Sequence, residues 1–79
     1  MRIISENRLK DIPYGEFVLM VYDGRIIATK DASGFMGLII AEPDTPKQAR
    51  AVLNAIQDAY LSGAKVVYMD YIMEETRDT

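Results

Sequence analysis

Residues 45–63 constrain the fold more than any other part of this sequence, because several independent helix signals coincide there. Thr45 suits the N-cap, Pro46 the first helical position, and Gln48 completes a T-x-x-Q capping box. Gly63 supplies a left-handed C-terminal stop. The segment therefore predicts an amphipathic helix of about 17 residues. Its apolar stripe, with spacings of three and four, is Ala49, Val52, Leu53, Ile56, Ala59 and Tyr60.

Five short apolar runs outside this helix are typical of β-strands, and turn signals separate them. Between the second and third runs, Asp23-Gly24 favours the positive φ values of a type I′ turn, which predicts a β-hairpin. Residues 6–15 are more polar and indicate an extended segment followed by a turn. The five runs are residues 1–5, 17–22, 25–30, 35–41 and 65–71.

The order of these elements predicts a single α+β domain over residues 1–79. We expect a small antiparallel sheet of about five strands, in the order β-β-β-β-α-β, with the helix on one of its faces. Residues 74–79 are rich in acidic side chains and are expected to form a frayed tail.

The predicted strands are unusual because most of them are apolar on both faces, where a strand with one wet face would alternate. A helix about 25 Å long covers only one face of such a sheet. We expect the second face to be buried against a copy of the same chain, so that the protein is a homo-oligomer, most simply a dimer. The alternative is that residues 6–15 or the acidic tail fold across this face. The candidate self-association face comprises Val18, Met20, Tyr22, Met36, Leu38, Ile40, Val67, Met69 and Tyr71.

The composition argues against most catalytic chemistry. The chain has no Cys and no His, which removes the commonest nucleophile–base pairs and zinc ligands. Its glycines form no phosphate-binding or dinucleotide-binding pattern. We therefore predict no enzyme activity, no catalytic residues, no metal and no cofactor. Asp70 lies beside Tyr68 and Tyr71 and is interpreted as a solvated or salt-bridged residue, with a small-ligand site at an oligomer interface as the alternative.

The net charge of −3 comes from the C-terminal segment, because residues 1–69 hold eight acidic and eight basic side chains. A neutral body attracts phosphate backbones weakly, so nucleic-acid binding is not favoured, although an accessory factor acting with nucleic acid stays as an alternative. The first residues do not resemble a signal peptide, and no apolar run is long enough to span a bilayer. We expect a cytoplasmic protein with no membrane partner.

Several short motifs in this chain resemble a family of uncharacterised proteins from phages and prophages of Firmicute bacteria. These motifs are M-R-I-I-S-E-N at residues 1–7, D-I-P-Y at residues 11–14, and I-A-E at residues 40–42 before the helix. Family members carry a Gly where this chain has Arg8, and a Tyr-Ser-Thr helix entry where it has E-P-D-T-P. The resemblance implies a mobile-element accessory protein and transfers no functional residue. We therefore expect a non-enzymatic interaction module that binds itself, or an unidentified host or phage protein.

Overall fold

The computed structural model describes residues 1–30 and 37–77, and in it six strands form two separate three-stranded sheets. The α+β class is confirmed, whereas the single antiparallel sheet of about five strands and the single helix are wrong. The elements are β1 (Arg2–Ile4), β2 (Asp11–Pro13), β3 (Val18–Tyr22), β4 (Arg25–Thr29), β5 (Leu38–Ala41), α1 (Pro46–Leu61), β6 (Val66–Tyr68) and α2 (Met69–Thr76).

The first sheet has the strand order β2-β1-β6 and is mixed, because β1 pairs antiparallel with β2 and parallel with β6. Its central row is Ile12, Ile3 and Val67, all three buried in the hydrophobic core. Residues 6–15 therefore return beside β1, and their extended part supplies β2. This buried row of three β-branched residues packs three very short strands into the core at once, and it thereby stabilises a separate sheet.

The second sheet is antiparallel, with the order β3-β4-β5. The predicted hairpin is confirmed, since Asp23 and Gly24 have φ values of 53° and 77°, as a type I′ turn requires. A β-bulge interrupts the pairing of β4 with β5, because Ile26 lies opposite Ala41 while the next residue, Ile27, lies opposite Ile39.

Helix α1 begins and ends where the sequence predicts. The Thr45 hydroxyl oxygen accepts a hydrogen bond from the Gln48 amide at 3.0 Å, and Gly63 has a φ of 83°. The reciprocal bond of the capping box is absent among the described contacts, because the Gln48 Oε1 accepts instead from the Asp44 amide at 2.7 Å. No helix in residues 1–30 or 37–77 is both long and apolar enough to cross a membrane.

Helix α2 was not predicted, and it replaces both the end of the last predicted strand and the start of the frayed tail. Its buried residues are Met69, Ile72, Met73 and Thr76, which follow a helical spacing of three, four and seven. This spacing turns one apolar side toward the core and leaves Glu74 and Glu75 in solvent. Helix α2 packs against α1, β5 and β6, so the core lies between the two helices and the two sheets.

The buried Gln48 side chain joins the two helices. It is 1% exposed, and its Nε2 donates to the Met73 carbonyl at 3.2 Å and to the Thr76 hydroxyl at 3.4 Å. The Thr76 hydroxyl in turn donates to the Ile72 carbonyl at 2.7 Å. These contacts satisfy polar groups that would otherwise be buried without partners, and they hold the last turn of α2 in place.

Candidate self-association surface

The surface of interest is the side of the second sheet that faces away from the core. In the strand register, Ile27 lies between Met20 on β3 and Ile39 on β5. Directly opposed residues share a face, so these three side chains lie on one side. Strand alternation adds Val18 and Tyr22 to the same side. We define the outer face as Val18, Met20, Tyr22, Ile27 and Ile39.

The outer face is separate from the core. The core cluster includes Ile26 and Ala28 from β4 but not Ile27, although Ile27 is only 4% exposed. Met20 is also absent from the residues packed against that cluster. Adjacent side chains of one strand thus point in opposite directions. The outer side of β4 carries the apolar Ile27 between two polar residues, Arg25 opposite Tyr22 and Thr29 opposite Val18.

The margins of the outer face are accessible to solvent. Val18 is 44% exposed, Tyr22 52% and Ile39 40%. Two further exposed apolar residues, Val21 and Leu38, lie at the edges of the same sheet. Strands β3 and β5 therefore supply five of the ten large hydrophobic side chains that are exposed among the described residues. Of these five, Val18, Tyr22 and Ile39 lie on the outer face, whereas Val21 and Leu38 lie opposite the core residues Ile26 and Ala28.

The structure brings together only part of the predicted face. Val18, Met20 and Tyr22 share the outer face, as expected. The β-bulge carries Ile40 into the core and sets Leu38 opposite Ala28, on the other side of the sheet.

The C-terminal members of the predicted face lie elsewhere. Val67 is buried in the first sheet, Met69 is buried at the start of α2, and Tyr71 is exposed on α2. Their separation follows from the division of the strands into two sheets. Met36 lies outside the described residues, as do Phe35 and the turn predicted at residues 31–34.

Sequence reasoning missed Ile27 and Ile39 as members of the outer face. The signal for Ile27 was present, because a two-residue turn at Asp23-Gly24 aligns Tyr22 with Arg25 and hence Met20 with Ile27. For Ile39 no comparable signal exists, since the bulge that displaces its neighbour is not encoded in a local motif.

The edges of the two sheets differ in how well they are protected. Strand β5 is shielded by Glu6, whose amide donates to the Ile40 carbonyl at 2.7 Å and whose carboxylate accepts from the Glu42 amide at 3.0 Å. Strand β2 is short, begins with Asp11 and ends with Pro13, both features of a blunted edge. Strand β6 has only three residues.

The free edge of β3 has none of these features. Its five residues, VLMVY, include no charge and no proline, and β4 is its only neighbour among the described strands. Among residues 1–30 and 37–77, no loop or helix donates a backbone hydrogen bond to this edge or accepts one from it. Long, flat, apolar edges are the ones that pair with other chains.

A second feature is the contact between Arg8 and the start of α2. The Arg8 Nη2 lies 2.9 Å from the Asp70 Oδ2, which confirms the salt-bridged interpretation of Asp70. The Arg8 guanidinium carbon lies 4.6 Å from the ring centre of Tyr68 and 5.3 Å from that of Tyr71. The hydrogen bond to Asp70, followed by the Tyr71 hydroxyl, raises the pKa of Arg8 above its ordinary value. Arg8 therefore stays charged and fastens the loop after β1 to α2.

The backbone of Arg8 is left-handed, with a φ of 61°. This conformation favours glycine. Within the described residues, the other Asp70 oxygen, Oδ1, is buried without a hydrogen-bond partner. The contacts of Arg8 thus hold a strained turn and an incompletely paired carboxylate together.

An open cleft of about 260 Å³ lies beside the protected edge of β5 and is lined by Glu6, Asn7 and residues 39–42. Both of its carboxylates already have partners, since Glu6 accepts from a backbone amide and Glu42 lies 3.3 Å from the Arg25 Nε. Asp70 is not among its lining residues, so this cleft does not support the ligand site considered for Asp70. The described residues also contain no group of three or more acidic side chains placed to hold a metal ion.

Comparisons with protein-family models, with curated proteins and with solved structures gave no match for this chain. The resemblance to short phage proteins therefore stays a prediction.

Proposed function

We propose that this chain is a non-enzymatic protein-interaction module that associates with itself, most simply as a dimer, and that serves as an accessory protein of a mobile element. The observation that carries the proposal is the apolar outer face of the second sheet, with Val18, Tyr22 and Ile39 each at least 40% exposed. Contact of a second copy with the exposed margin of this face removes apolar surface from water without a further protein.

The two segments considered as intramolecular covers are used elsewhere in the fold. Part of residues 6–15 forms β2 beside β1, and the C-terminal segment forms α2 on the core side. Neither segment lies on the outer face within the described residues. The centre of this face, Ile27, is already buried in the single chain, so what a second copy would cover is its exposed margin.

The proposal is tested by sedimentation velocity on Val18→Lys beside a matched control, Leu61→Lys. Both positions are exposed and apolar, but Leu61 ends helix α1, away from the outer face. A lysine at Val18 places a charge in the contact, so we expect the dissociation constant of the dimer to rise at least tenfold. Leu61→Lys should sediment as the wild type does. Equal association of both variants with the wild type would contradict a role for the outer face.

A further inference from the structure

We propose that β3 of one copy pairs antiparallel with β3 of a second copy, about a two-fold axis at Met20, so that two three-stranded sheets become one six-stranded sheet. This inference rests on the proposed self-association and specifies its geometry. Its starting point is the contrast between the edges, because the β3 edge alone among the four is five residues long and free of charge and proline.

The backbone of β3 is prepared for this pairing. Tyr22 and Arg25 flank the two-residue turn and form a hydrogen-bonded pair, so the alternation of an antiparallel ladder makes Val18, Met20 and Tyr22 bond to β4. The amide and carbonyl groups of Leu19 and Val21 consequently point away from β4. They form the row of donors and acceptors that a further strand requires.

Only one symmetric register pairs the whole strand with itself. With Met20 opposite Met20 of the second copy, Leu19 lies opposite Val21 of that copy, and their outward groups meet as hydrogen-bonded pairs. Val18 then lies opposite Tyr22 of the second copy, a β-branched and aromatic pair. A two-fold axis at Leu19 or Val21 would still pair the outward amide and carbonyl groups of the two strands. It would, however, leave residues of β3 unpaired at both ends of the ladder.

The same register covers exposed apolar surface. Val18, Met20 and Tyr22 fall at non-hydrogen-bonded positions, where opposing side chains approach most closely. The exposed Val18 of each copy thereby covers the exposed Tyr22 of the other copy, so this contact forms once on each side of the axis. The outer faces of both copies become continuous, and Ile39, on the far strand of each copy, is not covered by this contact.

Charge complementarity also favours a second copy as the occupant. Phe17 continues the strand in extended conformation, with φ −130° and ψ 150°, and the register sets it opposite Asp23 of the second copy. The Lys30 ammonium lies 5.3 Å from the centre of the Phe17 ring, so it would come near that Asp23, whose carboxylate also lies 3.7 Å from the Arg25 Nη1 of its own chain. The two-fold axis creates this opposite-charge contact twice.

The contact is small for a stable complex, because only one five-residue strand from each copy forms its centre. Stable interfaces bury about 800 Å² per partner, and smaller ones are weak or transient. We therefore expect a concentration-dependent equilibrium between monomer and dimer.

Disulfide trapping tests the register without cross-links from natural cysteines, because the chain has none. Opposed Cα atoms at a non-hydrogen-bonded pair lie about 4.5 Å apart, within the range that a disulfide bridges. Met20→Cys should therefore form a covalent dimer under mild oxidation. In Val18→Cys the two thiol-bearing positions would lie roughly 13 Å apart along the strands and should not cross-link.

The decisive sample is an equimolar mixture of Val18→Cys and Tyr22→Cys, which should cross-link as a heterodimer although neither variant does so alone. Circular dichroism and sedimentation of the reduced variants check that each still folds and associates. If the reduced variants associate but Val18→Cys cross-links to itself as readily as the mixture does, the edge register is wrong while self-association stands. A chain that stays monomeric throughout overturns both proposals.

Discussion

Met20 and Ile27 lie opposite each other on the outer face of the second sheet, and Ile27 is 4% exposed although it is not part of the core cluster. A three-stranded sheet with buried side chains on both sides of its centre has two apolar surfaces to cover. The core covers one of them. The centre of the other is already buried within the single chain, and its exposed margin, Val18, Tyr22 and Ile39, is the surface through which we propose that the chain associates.

Replacing Val21 by proline separates edge pairing from the hairpin. The Val21 amide points away from β4, so Val21→Pro removes a donor from the free edge while keeping the bonds to β4. We expect a folded monomer, measured by circular dichroism and sedimentation. Met20→Pro removes an amide that bonds to β4 and should instead lower the melting temperature, while Val21→Ala should associate as the wild type does. Undiminished association of Val21→Pro would argue against edge pairing.

Removing the buried amide of Gln48 should destabilise the contact between the helices. Gln48→Ala leaves the Met73 carbonyl without its side-chain donor and removes the acceptor of the Asp44 amide. We expect the free energy of unfolding in urea to fall by about 2 kcal/mol. Gln57→Ala, on the exposed side of the same helix, should change it by less than about 0.5 kcal/mol. Equal losses for the two variants would mean that the buried amide has no special role.

Two substitutions at Arg8 distinguish its backbone strain from its side-chain contacts. Both Arg8→Ala and Arg8→Gly remove the salt bridge to Asp70 and the contacts with the two tyrosine rings. Glycine also relieves the left-handed strain, so Arg8→Gly should melt roughly 4–8 °C above Arg8→Ala. Thermal unfolding followed by circular dichroism measures the difference. Coincident melting curves would show that the turn at Arg8 relaxes in the absence of its side-chain partners.

Gly63 is required by the backbone rather than by space. Its φ is 83°, yet a Cβ at this position would meet no atom within 4 Å. Gly63→Ala should therefore lower the free energy of unfolding by about 1 kcal/mol through strain alone. Gly15→Ala is the matched control, because Gly15 has equally open surroundings and no positive φ, and it should have little effect. A neutral Gly63→Ala would indicate that the end of α1 rearranges.

The hairpin and helix α1 could be predicted because their signals are local. Asp23-Gly24 specifies its turn through the φ values of two residues, and Thr45 and Gly63 mark the two ends of α1. The pattern of β3 also identified three members of the outer face, since strand alternation depends only on the spacing of residues along the chain.

The division into two sheets could not be predicted in the same way. The parallel pairing of β6 with β1 joins residues more than sixty positions apart, and no local motif encodes it. Helix α2 follows β6 directly, and the apolar residues 66–69 at this junction fit a strand as well as a helix until Ile72 and Met73 are included. The β-bulge between β4 and β5 then placed Ile39 on the outer face and Ile40 in the core, whereas the sequence had predicted Ile40 on that face.

The central claim is that the chain associates with itself, and light scattering of the wild type across a wide concentration range tests it most directly. The chain has a mass of 8.9 kDa. We predict that the molar mass rises with concentration from this value toward twice it, and that dilution reverses the change. A molar mass that stays at the monomer value at every concentration would contradict the account.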